Sequence, residues 1–147
     1  MEYKILHSDL DKTTIIIRFV VGAVFLSEGI QKFLFPELRG AGRFETIGLP
    51  FPEFFGNLVG AFEIICGLFI LLGFITRLAA IPLIIIMGVA IASTKTDIYL
   101  EKGFWETLHG SRTDWAMLLG SLFLLIKGSG AFALDSLLIK YGKQSQS

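Results

Sequence analysis

Residues 54–74 read FFGNLVGAFEIICGLFILLGF, and this run decides the class of fold. It holds one acidic residue, Glu63, no basic residue, and otherwise mostly aliphatic, aromatic and glycine residues. An α-helix needs about 20 mostly apolar residues to cross the hydrocarbon core of a bilayer. The run is therefore predicted to form a membrane-spanning helix.

Three more apolar runs resemble this one in composition. They cover approximately residues 14–35, 78–92 and 115–133. Hydrophobic residues make up 53% of the 147-residue chain and its mean hydropathy is +0.68, more than an ordinary soluble domain carries. We predict an all-α fold, an integral membrane four-helix bundle, whose even number of crossings places the N and C termini on the same side.

The connections between the runs differ in length. Only residues 75–77 separate the second run from the third, so these two helices are predicted to be antiparallel neighbours. The longer connections, 39–53 and 95–114, then share the opposite face and are predicted to be loops that carry function. We divide the chain into a cytoplasmic segment at residues 1–13, a transmembrane domain at 14–134, and a short amphipathic helix with a disordered tail at 135–147.

The two ends of the chain predict its orientation. The N-terminal residues mix both charges and lead into an apolar run without a small-residue cleavage site, so no signal peptide is predicted. Asp135 is predicted to cap the amphipathic helix, which ends near Tyr141. Lysine and arginine counts differ little between the two faces and slightly favour cytoplasmic termini. Arg18 is interpreted as a helix-end residue that snorkels to the headgroups.

Composition excludes several classes of function. Lys plus Arg and Asp plus Glu number 13 each, so the zero net charge gives no basic footprint for nucleic acid. Cys66 is the only cysteine, which excludes a disulfide within the chain and a Cys-x-x-Cys redox pair. Glu106 and His109 offer only a fragment of metal-ligand spacing. No metal and no resident cofactor are predicted in this chain.

Three charged residues lie deep in the predicted spans: Glu28, Lys32 and Glu63. A charge at a helix centre costs about 3 kcal/mol in a bilayer, so such residues usually face the bundle interior and have a partner. Glu28 and Lys32 stand four residues apart, which predicts an ion pair within one helix. At 1.5 Å per residue, Glu28 and Glu63 lie roughly 10 and 14 Å from the long-connection face. The trio is therefore predicted to share one interior pocket.

Glu63 also lies on a stripe of small residues. At 100° per residue, Gly56, Gly60, Glu63 and Gly67 project within a narrow arc of the second span. Small residues allow close approach of helices in membranes. Glu63 is therefore predicted to point at another helix.

The charged trio has two interpretations. It is either a buried polar clasp that fixes helix register, or a binding or proton-handling site for a small molecule such as a quinone. Weaker candidates for a functional role are His109 and Asp114, in the connection 95–114, and Arg77, beside the short turn.

Several short motifs, taken in order, resemble the DoxX family of small four-helix membrane proteins. They are Arg18-Phe19 with Gly22, FLSEGIQKF at 25–33, GLPFP at 48–52, Gly60-x-x-Glu63-x-x-x-Gly67, LGFITRLAA at 72–80 and GSGAFALD at 128–135. Each motif alone is weak, but their order and spacing over roughly residues 15 to 140 make the resemblance specific. Positions that match the family are Glu28, Gly29, Lys32, Glu63, Gly67, Thr76 and Arg77. Many relatives carry histidine where this chain has Glu28.

The resemblance implies a protein of a bacterial-type inner (plasma) membrane. Some relatives are linked to quinone-reducing thiosulfate oxidation, to quinone or catechol tolerance, or to membrane oxidoreductase assemblies. We predict a membrane subunit or accessory protein of a quinone-linked oxidoreductase system. The alternative is a non-catalytic scaffold or assembly factor that docks a soluble enzyme, with the trio as a clasp.

The predicted partners follow from this interpretation. They are the lipid bilayer, a membrane or soluble oxidoreductase subunit, and a second copy of the chain. The sequence leaves open whether the chain is itself an enzyme.

Overall fold

The computed structural model describes residues 11–144, without the side chain of Lys143, and every regular element among them is an α-helix. The all-α prediction is confirmed. The helices are α1 Thr14–Leu34, α2 Pro36–Arg39, α3 Ala41–Thr46, α4 Pro52–Leu72, α5 Thr76–Lys102, α6 Phe104–Gly110, α7 Arg112–Lys127 and α8 Leu134–Gln144. Three of them, α1, α4 and α5, are long and apolar enough to cross a membrane.

Helix α5 is longer, and helix α7 shorter, than the corresponding predicted runs. Helix α5 has 27 residues and ends before Gly103, which has a φ of 83°. Helix α7 has 16 residues, about 24 Å at 1.5 Å per residue, and ends before Gly128, which has a φ of 84°. The prediction that the fourth helix continues to residue 133 is wrong, because the chain turns in a left-handed conformation at Gly128.

The two connections predicted to be loops are largely helical. Residues 39–53 contain α3, and residues 95–114 contain the end of α5, all of α6 and the start of α7. His109 therefore lies on a helix and not in a loop. Proline at the first position of α2 and α4 and glycine before α6 set the boundaries of these segments. The prediction of two long loops is corrected to a layer of short helices at this end of the molecule.

The four longest helices pack in a closed ring. Helix α1 contacts α4, α4 contacts α5, α5 contacts α7, and α7 contacts α1. Phe25, Ile70, Leu83 and Leu124, one from each helix, are fully buried in the shared core. Large apolar side chains on the outside of these helices are widely exposed, as expected of surfaces that face lipid.

Glycines bring α1 and α4 into backbone contact. A Cβ atom added at Gly29 would lie 2.7 Å from the carbonyl oxygen of Gly60. One added at Gly67 would lie 2.8 Å from the backbone nitrogen of Leu26. The small-residue stripe of α4 thus faces another helix, as its spacing predicts.

Substitution of Gly67 by alanine is expected to destabilise the protein, since the new methyl group meets rigid backbone. Overpacking of this kind costs typically about 1–3 kcal/mol. The midpoint of thermal unfolding in detergent, followed by circular dichroism, should fall by several degrees. Gly88→Ala is the matched control, because a Cβ atom at Gly88 meets nothing within 4 Å. A Gly67→Ala protein as stable as Gly88→Ala would contradict the close contact of α1 with α4.

Arg18 is buried at the end of the bundle where α1 begins, with 3% of its surface exposed. Its Nε donates to the carbonyl oxygen of Ile70 at 2.9 Å, and Nη2 donates to that of Leu71 at 2.7 Å. Its Nη1 donates to the carbonyl oxygens of Ser129, at 2.9 Å, and Phe132. The prediction that Arg18 snorkels to the headgroups is wrong. The guanidinium instead satisfies carbonyls in the last turn of α4 and in the segment after α7.

Asp135 caps helix α5, whereas it was predicted to cap the amphipathic helix, which is α8. Its Oδ1 accepts the N–H of Ile75 at 2.8 Å and its Oδ2 accepts that of Thr76 at 3.4 Å, at the start of α5. The N–H of Asp135 in turn donates to the carbonyl oxygen of Gly73 at 3.0 Å. Helix α8 extends to Gln144, beyond its predicted end at Tyr141. Residues 1–10 and 145–147, which hold most of the predicted N-terminal segment and the end of the tail, lie outside the described residues.

Candidate functional site

A cavity of about 590 Å³ lies between the four long helices at the end covered by α2 and α3. Its walls are mostly apolar: Phe25 of α1, Val59 of α4, Ile86 of α5 and Met117 of α7 contribute to them. The volume falls in the range of roughly 300–1,000 Å³ typical of small-molecule sites. All three residues of the predicted trio line this cavity.

An ion pair between α1 and α4 forms one polar part of the wall. Lys32 Nζ lies 2.6 Å from Glu63 Oε2, and their side chains are 11% and 2% exposed. The predicted ion pair of Lys32 with Glu28 is wrong, since no such pair occurs within 4 Å among the described residues. The glycine contact of α1 with α4 brings Glu63 closer to Lys32 than the neighbour on its own helix.

The Lys32–Glu63 contact encloses one oxygen of the carboxylate. Glu63 Oε2 is buried and has no hydrogen-bond donor of acceptable geometry among the described residues, although the Lys32 ammonium is within ion-pair distance. Lys32 and Glu63 both line the cavity, so together they give its wall one polar region.

Glu28 occupies a more open position on the cavity wall. Its side chain is 41% exposed, and its Oε1 lies 3.9 Å from Nη1 of Arg39, at the end of α2. Such a long, exposed pair contributes little to stability. Glu28 is thus in contact with both the cavity and the exterior.

A second ion pair on the cavity wall joins α5 to α7. Lys95 Nζ lies 2.9 Å from Asp114 Oδ2 and donates to the carbonyl oxygen of Gly110 at 2.8 Å. The side chains of Lys95 and Asp114 are 13% and 26% exposed. Asp114, a weaker candidate from the sequence, lies in the cavity wall. The cavity wall also includes Lys95, Arg39 and Arg43, which were not predicted as site residues. The polar residues after residue 92 carry no apolar helical pattern that would have indicated Lys95.

The other two weaker candidates lie elsewhere. Arg77 Nη2 donates to the carbonyl oxygen of Ile126 at 2.8 Å, near the end of α7, and Arg77 does not line the cavity. His109 lies on the exposed helix α6, and its carbonyl oxygen accepts from Arg112. The structure therefore brings neither of them to Glu28, Lys32 and Glu63.

Metal ligands do not cluster in the part of the chain that the structure describes. Between residues 11 and 144 there is no group of three or more His, Cys, Asp or Glu side chains that could hold a metal ion. Cys66 is buried and carries a free thiol. The charged groups on the cavity wall are ammonium, guanidinium and carboxylate groups, and Ser93, Thr94 and Thr113 add hydroxyl groups.

These features define an α-helical membrane protein with charged pairs in an internal cavity. The chain belongs to the DoxX family, whose model matches residues 13–96. An uncharacterized membrane protein of Mycobacterium tuberculosis is 48% identical over 143 residues, which cover 93% of this chain and 88% of the relative. A Bacillus subtilis protein named "Putative oxidoreductase CatD" is 29% identical over 133 residues, 90% of each chain. No solved structure shows a significant match.

Proposed function

We propose that this chain is a membrane subunit or accessory protein of a quinone-linked oxidoreductase system and that the cavity binds the quinone. The observation that carries the proposal is an apolar cavity of about 590 Å³ with the buried Lys32–Glu63 pair on its wall. An apolar pocket with a few convergent polar groups is the usual form of a small-molecule site. The printed name of the Bacillus subtilis relative supports the oxidoreductase association.

The charged residues suit the proton chemistry of a quinone. Conversion of a quinone to its hydroquinone takes up two electrons and two protons. The Lys32 ammonium can donate a hydrogen bond to a quinone oxygen, and the Glu63 carboxylate can accept one from a hydroquinone hydroxyl. Glu28 lines the same cavity and is exposed, so it can exchange protons with water. The electrons come from a redox-active partner subunit.

Binding of a quinone is the direct test. Tetramethyl-1,4-benzoquinone is a suitable probe, since it has no ring hydrogen for a thiol such as Cys66 to replace. Calorimetric titration of the purified protein in detergent should show saturable binding. Tetramethylhydroquinone, kept under argon, should bind as well. Glu63→Gln should weaken its binding about tenfold, the loss expected for the charge-assisted hydrogen bond from its hydroxyl group to the carboxylate.

Glu53→Gln is the matched control for this titration. Glu53 is an exposed carboxylate at the start of α4 that does not line the cavity, so its substitution should leave the affinity unchanged. Absence of saturable binding to the native protein would refute the proposal.

We place the protein in a bacterial-type inner membrane, with four crossings and cytoplasmic termini. Packing of α7 against both α1 and α5 supports a fourth crossing. At the cavity end, Lys32 and Lys95 are held in ion pairs and do not act as loop charges, whereas Lys12 and Lys140 lie exposed toward the two chain ends. A phosphatase reporter fused after Ser147 that is active in the periplasm would refute this orientation.

One observation favours the alternative function of a scaffold. The Lys32–Glu63 pair joins α1 to α4 where glycines already hold the two helices in contact, which is the position of a structural clasp. The short helix α6 exposes Phe104 and Trp105, which offer an apolar surface for a soluble enzyme. In this alternative the chain docks its partner without binding a quinone.

A further inference from the structure

Besides the long, exposed contact of Glu28 with Arg39, the cavity wall holds two closer ion pairs. These two come from opposite sides of the helix ring. We propose that Lys95 and Asp114 form a second polar anchor, which faces Lys32 and Glu63 across the cavity and selects ligands with oxygen atoms at both ends of a ring. This inference rests on the proposed quinone site and specifies which ligands that site accepts.

The order of the helices places the two pairs opposite each other. Around the ring the helices follow the order α1, α4, α5, α7. Lys32 and Glu63 lie on the neighbours α1 and α4, whereas Lys95 and Asp114 lie on α5 and α7. All four residues line the one cavity. A ligand in its middle therefore has one pair on each side.

Both pairs differ from ordinary surface ion pairs. The two lysine side chains are only 11% and 13% exposed. Sequestering charges from water costs free energy that their mutual attraction often fails to recover. The presence of two such pairs in one cavity is thus better explained by ligand recognition than by stability alone.

Each of the two ion pairs can still form hydrogen bonds with a ligand. An ammonium group has three N–H donors. Lys95 makes two polar contacts, with Asp114 and the carbonyl oxygen of Gly110, and Lys32 makes one ion pair, with Glu63. Each lysine can therefore donate to a ligand oxygen, and the neighbouring carboxylate can accept from a ligand hydroxyl.

Apolar side chains also line the cavity. Among them are Phe25, Ile86 and Met117, which suit the faces and methyl groups of a substituted ring. A ring with one oxygen would use one pair and leave the other without a ligand contact. A ring with oxygen atoms at positions 1 and 4 would use both.

The test compares two ligands that differ by one hydroxyl group. Tetramethylhydroquinone, kept under argon, and 2,3,5,6-tetramethylphenol are titrated calorimetrically into the native protein and into Lys95→Met/Asp114→Asn. The native protein should bind the hydroquinone about tenfold more tightly, as expected for one additional hydrogen bond. The double variant should lose this advantage and bind the phenol as the native protein does. Glu101→Gln/Lys102→Met, an exposed pair of substitutions at the end of α5, should retain the advantage.

The possible results separate this inference from the quinone site itself. The second anchor would be overturned if the native protein bound the two ligands with equal affinity. It would also be overturned if the double variant lost affinity for both ligands equally. Either result would leave the quinone site intact. Failure of the native protein to bind either ring would refute both. If the double variant does not fold, Asp114→Asn alone provides the same comparison, with a smaller loss expected for the hydroquinone only.

Discussion

Replacement of Arg18 by methionine is expected to prevent the chain from folding stably. The side chain donates to carbonyl oxygens in two separate segments, the last turn of α4 and residues 129–132. A buried acceptor left without a donor costs about 1–3 kcal/mol. The carbonyl of Ile70 keeps the N–H of Gly73 as a donor, but the other three carbonyls lose the Arg18 donor. The summed loss approaches the entire stability of an ordinary domain, about 5–15 kcal/mol. Gel filtration in detergent should show aggregation, and the cooperative thermal transition should disappear.

Two further substitutions identify the cause. Arg18→Lys keeps the charge but not the planar set of five donors, so it should fold and melt well below the native protein. Arg112→Met removes an exposed arginine that donates to the carbonyl oxygen of His109, and it should leave the melting temperature unchanged. If Arg18→Met has the melting temperature of the native protein, other donors satisfy these carbonyls and Arg18 does not connect α4 to the segment after α7.

The class of fold was predictable because the signal is local. Residues 54–74 alone are long and apolar enough to require a spanning helix, and α4 follows them closely. The role of Arg18 was not predictable in the same way. Its distance from the helix end suggested snorkelling, whereas its partners are backbone carbonyls on other elements, which a pattern of side chains does not reveal.

The depth of the candidate site in the membrane was predictable from the sequence, but the ion-pair partner of Lys32 was not. Distance from the helix ends placed Glu28 and Glu63 at similar depth, and both line the cavity together with Lys32. Spacing of four residues then favoured Glu28 as the partner of Lys32, since sequence shows neighbours on one helix before neighbours on another. The backbone contact at Gly29 reverses this preference by bringing α4 against α1.

The second ion pair was missed for a different reason. Beyond residue 92 the chain becomes polar, with threonines and charged residues, and was interpreted as a loop. Hydroxyl groups of Thr94 and Thr96 donate to carbonyls one turn earlier, so these polar side chains are satisfied within helix α5. Lys95 is consequently fixed on α5 opposite Asp114.

Substitution of Lys32 by methionine is expected to cause the largest loss of stability among changes in the cavity. It leaves the Glu63 carboxylate, only 2% exposed, without its counter-charge. Removal of one partner from a buried ion pair costs about 3–5 kcal/mol. The melting temperature in detergent should fall well below that of Lys102→Met, in which the lost ammonium group is exposed.

Removal of both charges together should restore most of this stability. In Lys32→Met/Glu63→Gln no charge remains unpaired, so a double-mutant cycle should report a coupling free energy of about 3 kcal/mol or more. A cycle without coupling would contradict the interhelical pair. The restored protein also separates the two roles of the ion pair, because it folds but lacks the charges. If it still binds tetramethyl-1,4-benzoquinone as the native protein does, the pair is a clasp; if it folds and no longer binds the quinone, the pair recognises the ligand directly.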